Sequence, residues 1–125
     1  MDFALLNWPA VAAGTVLAFA LGMAWFSPLM FGKVWTTGSH NINRPASPPV
    51  TAMIIQFLAT FVLALVVAMT ETTGALLVAI AAILAVSLFV AGMDLFSQKT
   101  GGATLVDAGY VIAGGALMIA AQALL

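Results

Sequence analysis

No cysteine occurs in the chain, which excludes disulfides, thiolate metal sites and cysteine nucleophiles and leaves the redox compartment unmarked. Charge is nearly as scarce. Of 125 residues three are Lys or Arg and four are Asp or Glu, where a soluble domain carries roughly a quarter charged residues. A net charge of −1 offers no basic face to nucleic acid. The single histidine, His40, lies in a polar stretch. It is expected to be solvated, and no apolar segment presents an imidazole to haem or chlorophyll. There is no Ser-His-Asp set, no glycine-rich phosphate loop and no pair of metal ligands. The expectation is a protein that is not an enzyme, with no catalytic residue, no metal site and no cofactor held by side chains. A lipid, quinone or pigment would have to lie against its outer surface.

What is present is apolar: 64% of the residues are hydrophobic. Four long runs cover about residues 8–28, 50–70, 75–97 and 103–125, each close to the roughly 20 residues that span a bilayer. They are too long for barrel strands and lack strict alternation. Within lipid the backbone must bond to itself, which leaves helices. The sequence therefore predicts an all-α integral membrane protein, residues 1–125 forming a single domain of four transmembrane helices in one bundle. Asn7 and Pro9 mark the start of the first helix. Asp2 stands where a cleaved signal would need positive charge, so the first run is expected to stay in the protein. Pro28 either ends or kinks that helix. Residues 36–49, with His40, Arg44 and three prolines, read as the only real loop. Glu71–Gly74 and Gln98–Gly102 read as tight turns, with glycines supplying the unusual backbone angles.

Lys33, Arg44 and Lys99 all fall on the side of the first and third connections, and no basic residue falls on the other. The positive-inside rule then places loop 36–49 in the cytoplasm and both termini in the periplasm, in a multi-pass protein of a bacterial inner membrane. Trp8 at one boundary, and Trp25 and Trp35 near the other, fit aromatic belts.

The stretch Gly22-x-x-Trp25-Phe-Ser-Pro28-x-x-Phe31-Gly-Lys33-x-Trp35, with Asp107-Ala-Gly-Tyr110 in the last run, resembles the small bacterial membrane proteins grouped as "domain of unknown function 1761". The resemblance covers nearly the whole chain. It implies a four-helix architecture and carries no activity with it.

Two stripes of small residues stand out. Ala10, Gly14, Ala18 and Gly22 recur at four-residue spacing in the first helix, and Gly109, Ala113, Ala116, Ala120 and Ala123 alternate steps of four and three in the last. Small residues let backbones approach, and such packing drives helix association where lipid removes the usual hydrophobic force. The stripes either join helices of this chain or seat another protein. Six polar residues within the runs pair up by position: Gln56 with Thr60, Ser87 with Asp94, and Asp107 with Tyr110. By the orientation above they lie between mid-membrane and the cytoplasmic boundary, the other half being almost purely apolar. Lys33 and Lys99 are expected to reach Asp94 and Asp107 by extending their side chains, with Tyr110 and Gln56 as hydrogen-bond partners. A transporter needs polar groups across the whole midplane, and here they stop halfway. The leading expectation is thus a non-catalytic protein that acts by helix packing, on itself or on other membrane proteins, as an accessory or assembly subunit of a larger bacterial complex. Respiratory and photosynthetic reaction-centre or light-harvesting assemblies are the examples in mind. The alternative is a small transporter or ligand-binding protein with a cytoplasmic-side polar pocket.

Overall fold

A computed structural model of the protein describes residues 2–125; all its regular structure is helical, with no strand among the described residues. A 3-10 turn at Phe3–Leu5, capped by Asp2, leads into α1 (Trp8–Trp25). The Asn7 side chain accepts a hydrogen bond from the Ala10 amide, and Pro9 occupies the first turn, where no amide is required. At the other end the Ser27 hydroxyl donates to the Ala24 carbonyl, and the helix stops at Phe26. Pro28 therefore lies beyond α1, which it does not kink.

A short helix follows that was not expected from the sequence, α2 (Gly32–Gly38). It takes in Thr36 to Gly38, so the loop expected from Thr36 begins at Ser39. Helix propensity does not account for seven such residues; tertiary contacts do. The Thr100 amide donates to the Gly38 carbonyl at 3.0 Å, and the His40 Nε2–H lies 2.7 Å from the Ser97 carbonyl oxygen. The expected free histidine is thus tied across the fold, although its ring stays exposed.

The remaining helices are α3 (Val50–Glu71), α4 (Leu76–Phe96) and α5 (Gly101–Leu124). With α1, four helices are long and apolar enough to cross a membrane. Gly74 makes the α3–α4 reversal with φ +66°. At the next turn the left-handed residue is Gln98, φ +62°. Gly101 and Gly102, expected to form that turn, already belong to α5, which Thr100 caps by accepting from the Ala103 amide.

Helix α5 is the hub, packing against all four other helices. Its register on α1 is antiparallel and set by small residues. A Cβ on Gly14 would lie 3.3 Å from the Met118 Cα, one on Gly114 would lie 3.5 Å from the Ala18 Cβ, and one on Gly22 would lie 2.9 Å from the Tyr110 hydroxyl. The apolar core (Val11, Ala18, Ala64, Val67, Ala68, Ala79, Ile83 and Met118) fills the half of the molecule that carries the termini. Toward the loop end the packing opens. Every residue of α3 from Val50 to Ala59 is exposed, on all faces of the helix, and burial begins only at Thr60.

Candidate functional site

Three side-chain hydrogen bonds knit α5 to its neighbours in the half nearer the loops. The Tyr110 hydroxyl donates to the Ala18 carbonyl at 2.7 Å, the Trp25 indole N–H donates to the Val106 carbonyl at 2.9 Å, and the Ser87 hydroxyl donates to the Ala108 carbonyl at 2.9 Å. Each satisfies a polar side chain by a backbone carbonyl on another helix, as a medium without water demands. Two expectations are corrected here. Tyr110 does not serve the carboxylates, because its proton goes to α1. Trp25 is half-buried and bonded to α5, a packing contact and not a belt residue facing lipid.

The ionic centre is smaller than anticipated. Lys99 Nζ lies 3.3 Å from Asp107 and 3.6 Å from Asp94, with side-chain exposures of 23%, 14% and 12%. It also sits 5.9 Å from the centroid of the Trp35 ring, within cation–π reach. Lys33 takes no part: it is exposed on α2 and forms no ion pair among the described residues. One ammonium thus serves two carboxylates, and Asp94 Oδ2 is left buried without a hydrogen-bond donor among the described residues. Among the described residues no three or more His, Cys, Asp or Glu side chains come together in a metal-binding arrangement.

Around this centre the aromatic side chains of the sequence motif close up. Phe26 meets Trp35 edge-on at 5.3 Å and Tyr110 at 5.4 Å, while Trp25 stacks obliquely on Phe31 at 4.7 Å and on Tyr110 at 6.4 Å. Gly22-to-Trp35 and Asp107-to-Tyr110, far apart in sequence, are one cluster in space. They wall a cavity of about 600 Å³, bounded also by Arg44 from the loop, Met53 and Gln56 from α3, and Val90 from α4. A second apolar groove of about 610 Å³ shares Gln56, Tyr110 and Val111 with it and runs on between α3 and α4 past Ala59, Leu63, Val66 and Ala82 to Met118. Gln56 is exposed toward these spaces and makes no hydrogen bond with Asp107.

The model of a protein family described as "Protein of unknown function (DUF1761)" matches residues 9–122. The chain belongs to this family. No curated protein and no solved structure matches it. The DUF1761 match spans α1 to α5 and so includes both walls of the cavity and the Lys99 centre.

The two small-residue stripes part company. On α1, Ala10, Gly14 and Ala18 are buried and Gly22 is half-buried, all within this chain. On α5 the buried face runs through Tyr110, Gly114, Met118 and Ala121. At about 100° per residue the other stripe lies on the far side. Gly109 and Ala113 are half-buried there, Gly109 against Trp25, while Ala116, Ala120 and Ala123 are exposed. Trp8, exposed near the termini, donates its indole N–H to the Phe3 carbonyl.

Several contributors went unread in the sequence. Arg44 looked like a loop charge, yet its guanidinium donates to the Phe26 carbonyl and roofs the cavity. Gly38 lies in the stretch that reads as loop, yet a Cβ there would collide with Thr100 and Ala103. The half carrying the termini is also less purely apolar than expected. Thr15 is buried there, bonded back to the Val11 carbonyl, and so is Gln122, whose Oε1 has no partner among the described residues. Thr15 and Gln122 were visible as polar letters in apolar runs; Arg44 and Gly38 carried no local signal.

Proposed function

We infer that this DUF1761 protein is a non-catalytic, multi-pass protein of a bacterial inner membrane that works by packing against other membrane proteins. Its role is that of an accessory or assembly subunit of a larger complex, of which respiratory and photosynthetic assemblies are the natural examples. The observation that supports this reading is the outward stripe Ala116–Ala120–Ala123 on α5. The chain uses its α1 stripe internally but leaves this one on the surface, where small side chains gain nothing from lipid and admit a neighbouring helix closely. The clustering of Lys33, Arg44 and Lys99 at one end supports an orientation with both termini in the periplasm.

The test is association in mild detergent. The wild-type chain is expected to migrate as a defined oligomer or with a stoichiometric membrane partner, and Ala116→Leu with Ala120→Leu to release it at unchanged helicity. A wild-type monomer with no stoichiometric companion overturns the reading. The cavity beside Asp107 favours a second reading, a small transporter or ligand-binding protein. Asp107→Asn should then abolish uptake or binding while leaving association intact, the reverse of the alanine pair.

A further inference from the structure

The cavity and the groove adjoin along α3, sharing Gln56, Tyr110 and Val111, and the chemistry of the combined channel changes from end to end. Near the loop end stand Arg44, Ser27 and Trp35. Further along, past Gln56 and Tyr110, the walls are mainly aliphatic (Leu63, Val66, Val86, Met118), and the Thr60 hydroxyl there donates back to the Gln56 carbonyl. From Met53 to Val66 the channel follows α3 for about 20 Å at roughly 1.5 Å per residue. That exceeds one leaflet of hydrocarbon, about 15 Å. It is open sideways, because the first ten residues of α3 have no protein neighbour close enough to bury them.

The charges at the polar end are not equivalent. Asp107 also lines the cavity, but its carboxylate is drawn to Lys99 at 3.3 Å. Arg44 forms no ion pair among the described residues, and its one hydrogen bond goes to the Phe26 carbonyl. A guanidinium has five N–H donors in a planar fork that matches phosphate oxygens. A single unpaired guanidinium at the mouth of a leaflet-length apolar groove is complementary to one kind of molecule. We propose that the channel is a phospholipid site, with the phosphodiester held by Arg44 and one acyl chain lying between α3 and α4. Basic pockets between transmembrane helices bind lipid head groups on this principle.

This proposal is independent of the packing reading and names a ligand class for the cavity on which the second reading rests. It uses the α3-facing side of α5, opposite the outward alanine stripe, and its test separates from theirs. The full-length protein in detergent is titrated with dioleoylphosphatidylglycerol or with dioleoylglycerol, which has the same tails and no phosphate, and bound lipid is counted by native mass spectrometry. The wild type is expected to retain one phospholipid and to prefer it over the diacylglycerol by about fivefold or more, the scale of one basic group near a head group. Arg44→Gln is expected to erase the preference, whereas Lys33→Gln, which removes a charge outside the channel, leaves it intact. Ala59→Phe and Ala82→Phe, which narrow the groove, should lower retention of both lipids. A molar excess of inorganic phosphate should not compete, since the acyl chain carries most of the binding. Circular dichroism confirms that each variant is folded.

An equal preference in wild type and Arg44→Gln overturns the proposal. So does a Lys33→Gln effect as large as that of Arg44→Gln, which would reduce the site to general surface charge. Displacement by inorganic phosphate, or a dimer that the groove-narrowing variants disrupt while no lipid is retained, overturns it as well.

Discussion

Tyr110 donates its phenolic proton to the Ala18 carbonyl at 2.7 Å, and it can do so because residue 22, one turn further along α1, has no side chain. A Cβ at Gly22 would stand 2.9 Å from the Tyr110 oxygen. Tyr110→Phe is expected to cost about 0.5–1.5 kcal/mol, the range for interhelical hydrogen bonds in membranes. Gly22→Leu should cost more, about 1–3 kcal/mol, because the ring must leave its seat. Unfolding in mixed micelles, followed by circular dichroism, measures both. A neutral Tyr110→Phe would mean that the bond contributes nothing net.

The ammonium shared by Asp94 and Asp107 makes its loss worse than the loss of either carboxylate. Lys99→Met leaves two partly buried acids facing one another and should cost about 2 kcal/mol, below the value for a fully buried pair because water still reaches the group. Asp107→Asn should cost under about 1 kcal/mol, since Lys99 keeps Asp94. The double variant should regain part of the Lys99→Met loss. Thermal melts in one detergent give the ranking, and a Lys99→Met variant as stable as Asp107→Asn would contradict it.

Gly14 and Ala120 belong to similar-looking stripes and should behave oppositely. Gly14→Leu drives a side chain into Met118 and is expected to destabilise the isolated chain by about 1–3 kcal/mol. Ala120→Leu points away from the fold and should stay within about 0.5 kcal/mol. The same melts decide, and a destabilising Ala120→Leu would place that stripe inside the structure.

Gly38→Val should unseat α2 from the start of α5. The added carbons meet the Thr100 hydroxyl and the Ala103 methyl, while the Thr100 amide loses its carbonyl acceptor. Hydrogen exchange over residues 32–41 is expected to rise by at least tenfold, that is, about 1.4 kcal/mol of local stability, with α3 and α4 unaffected.

The four membrane-length helices were legible from run length and scarcity of charge, because lipid leaves the backbone only one way to satisfy itself. The family resemblance was legible too, in Gly22-to-Trp35 and Asp107-to-Tyr110. The spatial meeting of those two segments was not, because nothing local tells Trp25 that Val106 will accept its proton. Helix α2 was missed for a similar reason. Its stability comes from Thr100, Ser97 and Ala103, about sixty residues away in the chain, and such contacts override weak local preference. The stripes could be seen as letters, but whether a small residue faces inward or outward depends on which helices become neighbours. Gly14 found Met118 in its own chain, and Ala116 found nothing. Arg44 reads from the sequence as a loop charge that helps set the orientation, because hydropathy treats loops as solvent, whereas this loop folds back over the end of α1.

Helix α5, on which every other helix rests, follows them all in the order of synthesis. Chains emerge N-terminus first, so α1, α3 and α4 enter the bilayer before their common support exists. During that interval Gly14, Ala18 and Gly22 border acyl chains instead of Met118, Gly114 and Tyr110, and the Asp94–Lys99 pair lacks Asp107. The arrival of one late helix then closes contacts that join residues 18 and 110 or 25 and 106. A nascent chain stalled before α5 would therefore lack the contacts that α5 makes with every other helix, and would rest mainly on those of α3 with α1 and α4.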